Sequence, residues 1–394
     1  MEAIRFERSE LDDTIGRMGS TISSEGVSIN ATGLTVDGER MRGLSLGDIE
    51  LEGMIGKGCS SVVRKARDKK NKVYAVKIFK IFDVHRRHQL MKEVRILFGL
   101  DCQALVHFFG AYLDDARVGV ILEFMDLGSL DRVFAKRPPE RIVSLILFPV
   151  LWGLAYLHFE RRMHRDVKPA NALVNSRGEV KLSDFGISRQ VDDAARTMVG
   201  TFRYMSPERL DGADYSFEAD VWSLGILALD AFDPVFATNS TPLDIVQHLK
   251  EKGNGLATAA LRKHCVSTGF IRFVEACLRT NPNDRPACDA LLQDPWLNAP
   301  RFWHHSDVSL DRAADLLKPW LLANLPPPTR SPPSPPFSSK YGGGGLAPDP
   351  LNQTFHGDDD DDDDDDGTYH DLAKTIQDDY DSDDDDDDAS TPPS

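Results

Sequence analysis

A chain that carries nineteen aspartates and one lysine in residues 358–394 must build its core from what precedes them. Like charges at that density repel one another, and the apolar residues among them are too few to offset the entropy lost on ordering. Locating the charge also changes the reading of the whole. The formal net charge is −17, the segment 358–394 alone carries −18, and residues 1–357 therefore net +1. The foldable part is near neutral, with no basic excess of the kind a nucleic-acid binder needs. With 41% apolar residues in 394, there is enough material for one large core or two modest ones. Cys59, Cys102, Cys265, Cys277 and Cys288 are odd in number, scattered and never in a C-x-x-C pair. That argues against a disulfide framework or zinc site as the organising device and fits a reducing compartment. A cytoplasmic location is expected, with nuclear shuttling left open. The first ten residues are rich in charge and lack the apolar core of a signal peptide. The longest apolar stretch, Ile142 to Leu157, is interrupted by Ser144, Pro149 and Gly153. It is too short to cross a bilayer and reads as a buried core helix kinked at Pro149, so no membrane role is expected.

Pattern along the chain divides it further. Residues 1–45 mix Ser, Gly and charge without a sustained period and read as an extension that is at most partly ordered. From Leu46 the period becomes that of strands. Ile49–Met54 and Ser61–Ala66 flank a glycine turn, Val73–Phe79 is a third strand, and Val84–Leu100 is a helix with apolar Leu90, Val94 and Leu97. Another strand covers Gly119–Met125, after which the sequence is mainly helical to about Leu297. The expectation is an α+β chain of two lobes joined near Glu123–Asp126: a small sheet with one helix, then a larger helical lobe, together spanning residues 46–298. A possible helical segment lies in 299–324, where Leu310–Leu322 has helical spacing but contains Pro319. Residues 325–394, with a proline-rich run, a glycine run and two aspartate blocks, are expected to be a disordered acidic tail. Tyr369, Leu372, Ile376 and Tyr380 recur there at helical spacing; they are either a segment that folds on a partner or incidental residues of a solvated linker.

The polar residues then supply a chemistry. His164-Arg165-Asp166-Val167-Lys168-Pro169-Ala170-Asn171 is followed by Asp184-Phe185-Gly186. That order offers a carboxylate to receive a hydroxyl proton (Asp166), an ammonium for a moving phosphate (Lys168), and oxygen ligands for magnesium (Asn171 and Asp184). Upstream, Gly56-Lys57-Gly58-Cys59-Ser60-Ser61 joins two strands. Alone, with Ser61 where a third glycine is usual, it is more often an ordinary hairpin than a phosphate cover. Lys77, in Tyr74-Ala75-Val76-Lys77, shifts that balance: it sits where an ammonium can reach the α- and β-phosphates of ATP, and Glu93 on the next helix is available to pair with it. Ile55, Val63, Ala75 and Leu173 are the apolar faces expected around adenine, with backbone groups near Glu123 and Met125 at its edge. ATP and Mg²⁺ are the cofactors these residues call for.

By Ser206-Pro207-Glu208 the pattern resembles the eukaryotic protein kinases, over roughly residues 46–298. Gly200-Thr201-Phe202-Arg203-Tyr204-Met205-Ser206-Pro207-Glu208-Arg209 resembles the G-T-x-x-Y-M-S-P-E-R of the MAP kinase kinases, as do Met125-Asp126-Leu127-Gly128-Ser129-Leu130 and Gly56-Lys57-Gly58. The resemblance implies a bilobal, dual-specificity enzyme that phosphorylates Thr and Tyr in the activation loop of a MAP kinase and is itself switched on by an upstream MAP kinase kinase kinase. It also implies that Asp220 braces the catalytic loop, that Arg285 pairs with Glu208, and that Arg165 clamps a phosphorylated loop.

The activation segment departs from that pattern. Between Asp184 and Gly200 the well-placed hydroxyl is Thr197, and the position four residues earlier is Asp193, preceded by Asp192. Either Asp193 supplies part of the charge that phosphorylation adds elsewhere, leaving Thr197 as the single switch, or the two aspartates solvate the loop. Arg40-x-Arg42-x-Leu44-x-Leu46 has the basic-then-apolar form of a MAP kinase docking peptide, but Leu44 and Leu46 precede the first strand so closely that plain packing on the lobe is the favoured reading. Ser331-Pro332, Ser334-Pro335 and Thr391-Pro392 suit a proline-directed kinase, and the aspartate blocks suit solubility or a basic protein surface. Two other functions remain to be separated from this one: a Ser/Thr kinase of another signalling tier, and a pseudokinase scaffold.

Overall fold

The computed structural model describes residues 21–325 apart from 25, 42, 59–60, 81–83, 116, 185–201, 233–260, 263 and 299–308, and for 24, 84–89 and 202 the backbone alone. Residues 1–338 and 339–394 form two separate units, and the second, which holds both aspartate blocks, lies outside the described residues.

The first element group was not expected from sequence. Strands β1 (Thr21–Ser24), β2 (Val27–Asn30), β3 (Gly33–Val36) and β4 (Glu39–Arg40) form an antiparallel meander in that order. β2 and β3 have four residues each with one buried in two, and β4 has only two residues, too short a period to stand out in a polar segment. The candidate docking peptide continues from this sheet onto the lobe. Arg40 donates to Thr32 O at 3.1 Å and Leu44 N to Phe109 O at 2.9 Å. Gly110 accommodates that approach with φ 152°, where a Cβ would collide with the Leu44 carbonyl.

Strands β5 (Ile49–Lys57), β6 (Ser61–Asp68), β7 (Val73–Lys80), β8 (Phe108–Asp114) and β9 (Arg117–Glu123) form an antiparallel sheet ordered β5-β6-β7-β9-β8. Between β7 and β8 runs helix α1 (Val84–Phe98), which buries Leu90, Met91, Val94 and Leu97. Period two decides the two faces of β7: Tyr74, Val76 and Ile78 are buried, while Ala75 and Lys77 turn to the other, half-buried face. Register then sets neighbours. Gly56 pairs with Val63, Val63 with Lys77, and Lys77 with Val120, so the glycine turn and the lysine share one row across the sheet.

The second lobe begins with β10 (Gly128–Ser129), α2 (Leu130–Phe134) and α3 (Glu140–Phe159). Helix α3 is long and apolar enough to cross a membrane by length and composition, but it is the axis of the core, with Leu145 to Phe148, Val150, Leu151 and Leu154 all at 1% exposure or less. It runs on through Pro149 and starts at Glu140, whose carboxylate accepts from Trp296 Nε1 at 2.6 Å and from Ser267 N at 2.8 Å. Strands β11 (Ala172–Val174) and β12 (Val180–Leu182) form a hairpin that pairs with β10 and sets Leu173 opposite Ser129 and Lys181. Then come α4 (Pro207–Leu210), α5 (Glu218–Asp230), α6 (Thr268–Cys277), α7 (Cys288–Leu292) and α8 (Leu310–Asn324). In α8 the interior Pro319 is exposed, so the carbonyl it leaves without a donor faces water while Ala313, Leu317 and Leu321 pack inward.

Candidate active site

The chemistry is organised around a buried carboxylate that belongs to neither motif loop. Asp220, in the first turn of α5, is 1% exposed. Its Oδ2 accepts from His164 N at 2.7 Å and lies 3.0 Å from His158 Nε2, and its Oδ1 accepts from Arg165 N at 2.8 Å. Burial alone would raise this carboxyl, but the His158 and His164 contacts outweigh it and hold Asp220 below its ordinary value. His164 is fully buried, and burial pushes its ring down toward the neutral form. A ring protonated on Nε2 satisfies both neighbours: Nε2 is 3.1 Å from Ser183 O, and Nδ1 accepts from Asp166 N at 3.3 Å. One histidine thus ties the residue before Asp184 to the loop of Asp166. The loops are held in tight form, with Arg165 at φ 68° and Asp184 at φ 58°, left-handed conformations that non-glycine residues seldom adopt.

Within that frame the expected groups converge. Asp166 Oδ2 lies 3.0 Å from Lys168 Nζ and accepts from Asn171 Nδ2 at 2.7 Å; the same Nδ2 donates to Asp166 O at 2.8 Å. The Asn171 amide is thereby oriented with its nitrogen on Asp166, leaving its oxygen as the atom able to ligate a metal. Asn171 O accepts from Ser183 N at 2.8 Å, which brings Asp184 alongside. Asp184 Oδ1 and Lys77 Nζ are 2.7 Å apart across the lobes. The expected Lys77–Glu93 pair is not among the ion pairs of the described residues. Among the described residues the carboxylate within ion-pair distance of Lys77 is Asp184, while Glu93 lies at 5% exposure on α1. The flexible four-carbon stem of a lysine lets its ammonium meet a carboxylate contributed by the other lobe.

A sequence profile described as "Protein kinase domain" matches residues 49–297. Over 262 residues the chain is 37% identical to "Mitogen-activated protein kinase kinase 3" of Arabidopsis thaliana, covering 64% of this chain and 50% of that protein. It is 35% identical over 288 residues to "Dual specificity mitogen-activated protein kinase kinase dSOR1" of Drosophila melanogaster, covering 66% of this chain and 73% of the relative. "Mitogen-activated protein kinase kinase 1" of Arabidopsis thaliana is 35% identical over 283 residues, 68% and 78% of the two chains. The chain belongs to the protein kinases, in the MAP kinase kinase family. It spans about half the length of the first of these relatives and about three quarters of the other two.

The apolar residues named for the nucleotide side differ in exposure. Val63, Ala75 and Leu173 are half-buried and Ile55 is exposed by 49% at the mouth. Gly58 N donates to Ser61 O at 2.8 Å, tying the end of β5 to the start of β6. At the hinge, Glu123 N donates to His107 O and Met125 O accepts from Gly128 N, so of the Met125 backbone pair the N–H is the group left to read an adenine edge. The Glu123 carboxylate faces away into Lys181 Nζ at 2.8 Å and Arg177 Nη2 at 2.9 Å, which anchors the hinge to the β11–β12 hairpin.

On the peptide side, Arg285 forks onto Glu208 at 2.7 and 2.8 Å, stacks 5.0 Å over Trp222, and fixes the Ser206-Pro207-Glu208 segment to the lobe. Arg209 Nη1 donates to Arg165 O at 2.9 Å. Thr197 and Asp193 lie outside the described residues, and so does the segment Arg165 was expected to clamp. Sequence reasoning missed a second buried cluster here. Asp230, at the end of α5, accepts from Arg203 Nη2 at 2.9 Å and from the Tyr204 hydroxyl, while Ser223 Oγ donates to Tyr204 O at 2.6 Å. Burial pushes the Asp230 carboxyl up to about 6 despite Arg203. Nothing in the sequence joins residues 27 positions apart on a loop and a helix; only the juxtaposition of α5 with that loop does.

Proposed function

We propose that this kinase transfers the γ-phosphate of ATP to Thr and Tyr hydroxyls in the activation loop of a MAP kinase, and is switched on by phosphorylation of Thr197 by an upstream kinase. The observation that carries the reading is the hub at Asp166, where Lys168 and Asn171 meet one carboxylate oxygen and the Asp184–Lys77 pair faces it across the cleft. Asp166 accepts the proton of the incoming hydroxyl; since the transition state is loose, its orientation by Asn171 and by the His164–Asp220 brace matters more than its basicity. Lys168 stays beside Asp166 with its charge directed at the transferring phosphoryl group. Lys77 is placed to hold the α- and β-phosphates, with Glu93 as the partner that steadies it once Asp184 is engaged elsewhere.

The donor set also fits Mg²⁺. The Asn171 amide oxygen and the Asp184 carboxylate are hard oxygen ligands of the kind that ion prefers, on adjoining segments. Bound there with ATP, the ion would neutralise phosphate charge. Ile55, Val63, Ala75 and Leu173 sandwich the base, and the Met125 N–H reads its edge.

The test is to incubate the full chain with ATP, magnesium and a panel of inactive MAP kinases, then map the phosphates. Paired Thr and Tyr phosphates in one MAP kinase activation loop support the reading. Phosphate on Ser or Thr of other substrates alone would place the chain in another signalling tier. No phosphate on any substrate after treatment with upstream kinases would favour a scaffold.

A further inference from the structure

Residues 21–40 take no part in the chemistry above, yet they are packed into the small lobe as firmly as its own strands. Along β2 and β3 the pattern alternates: Val27, Ile29, Leu34 and Val36 are at 6% exposure or less, while Ser28, Asn30 and Thr35 are half-buried. The buried face lies on α1 and β8, with β1 and β2 against the helix and β2 and β3 against the strand. Its four side chains join Leu90, Met91, Val94 and Leu97 of α1 in one apolar core.

An ion pair marks the edge of this contact. Arg95 Nη2 on α1 lies 2.8 Å from Asp37 Oδ2 in the β3–β4 turn. The turn is shaped around the pair. Asp37 N donates to Gly26 O at 2.7 Å, and Gly26, at φ 77°, lies so close to the Asp37 carboxylate that a Cβ there would collide with it. An exposed pair holds weakly, so the apolar face does the gripping and the pair sets the alignment. Helix α1 is thus held between two sheets, and Glu93 stands on it two residues from Arg95. The sheet that grips α1 therefore bears on where Glu93 stands relative to Lys77, which here pairs with Asp184.

From this packing we infer that the β1–β4 sheet is a positioning element for phosphoryl transfer: it sets where α1 rests and so how closely Glu93 approaches Lys77. The inference rests on the kinase reading above. Loosening the sheet raises the cost of ordering Lys77 on ATP phosphates and leaves the Asp166 loop, braced by Asp220 in the other lobe, untouched.

The experiment uses the full chain with Ile29→Ala and Leu34→Ala, and a charge-reversal set of Asp37→Arg, Arg95→Asp and the two combined. For each, kcat and KM for ATP are measured on the MAP kinase that the wild type phosphorylates best, with amide exchange followed across α1 and residues 164–171. The expected result is faster exchange in α1, unchanged exchange in 164–171, and kcat/KM for ATP reduced roughly tenfold in the alanine variants, since small misplacements of a charged partner are costly. Each single reversal lowers kcat/KM for ATP, and the double reversal restores it. Faster exchange in α1 with kcat/KM within twofold of wild type overturns the inference, as does unchanged α1 exchange in both alanine variants. If either alanine variant fails to fold, the reversal set decides: equal kinetics in the singles and the double overturns it. A wild type inactive on every MAP kinase would instead overturn the functional reading, and the exchange measurements would still report whether the sheet holds the helix.

Discussion

At the scale of the residue, single atoms carry most of the proposal. Asp166 Oδ2 receives both the Lys168 ammonium and the Asn171 amide, so its orientation is fixed from two sides. Asp166→Asn keeps the shape and removes the proton acceptor; kcat is expected to fall by roughly 10²–10⁴-fold while the ATP KM stays within a few fold, measured under saturating MAP kinase. Asp230 allows a different test. Its carboxyl titrates at about 6 in the folded protein against an ordinary 3.8, so the unfolded chain releases that proton first. The contribution is therefore fully present below pH 3.8 and is lost as pH rises through about 6. Asp230→Asn, which cannot ionise, should show less loss of urea-unfolding stability between pH 5 and 7 than wild type, and an identical slope for the two proteins would refute the assignment.

At the scale of the element, the question is why short or interrupted segments hold. Helix α8 tolerates Pro319 because that position faces solvent, and it packs on α3 with the β11–β12 turn close against it. Gly178 sits there at φ 95°, where a Cβ would run into the Ala314 carbonyl of α8. Gly178→Ala should cost roughly 1–3 kcal/mol in urea unfolding, from strain at positive φ plus displaced packing. It should also loosen the hinge, since Arg177 and Lys181 of the same hairpin hold Glu123. The activation segment is an element read from sequence alone. If Thr197 is the switch and Asp193 a partial substitute for a second phosphate, Thr197→Ala abolishes activation by an upstream kinase and Asp193→Asn lowers it partially. Initial rates unchanged in both variants would refute the idea.

At the scale of the whole molecule, acid should dismantle the large lobe through its buried carboxylates. Burial raises Glu208, but the fork from Arg285 outweighs it and holds the group below 4.5; Asp220 is likewise held below 3.8. Both contribute stability that is present above those ordinary values and lost as pH falls through the lowered ones. Glu208→Gln keeps the volume but leaves the Arg285 charge buried without its counterion. It should cost roughly 3–5 kcal/mol at pH 7 and flatten the acid limb of a stability profile taken by urea titration.

What the sequence by itself determined was chemistry and period. The residues of the hub, the glycine turn, Lys77 and four of the five strands of the larger sheet were legible because spacing within a loop or strand fixes which groups share a face; β8 (Phe108–Asp114) was not read, and the Arg285–Glu208 pair, 77 positions apart, was available only through the resemblance to the kinase family. The four-stranded sheet of residues 21–40 was not, since its strands are too short for a period and gain their stability from α1 and β8. Nor was the partner of Lys77, or the Asp230 cluster. Those depend on the distance between elements far apart in the chain, which local spacing does not encode. Only packing brings Asp184 within 2.7 Å of Lys77 and sets Glu93 on a helix gripped from both sides.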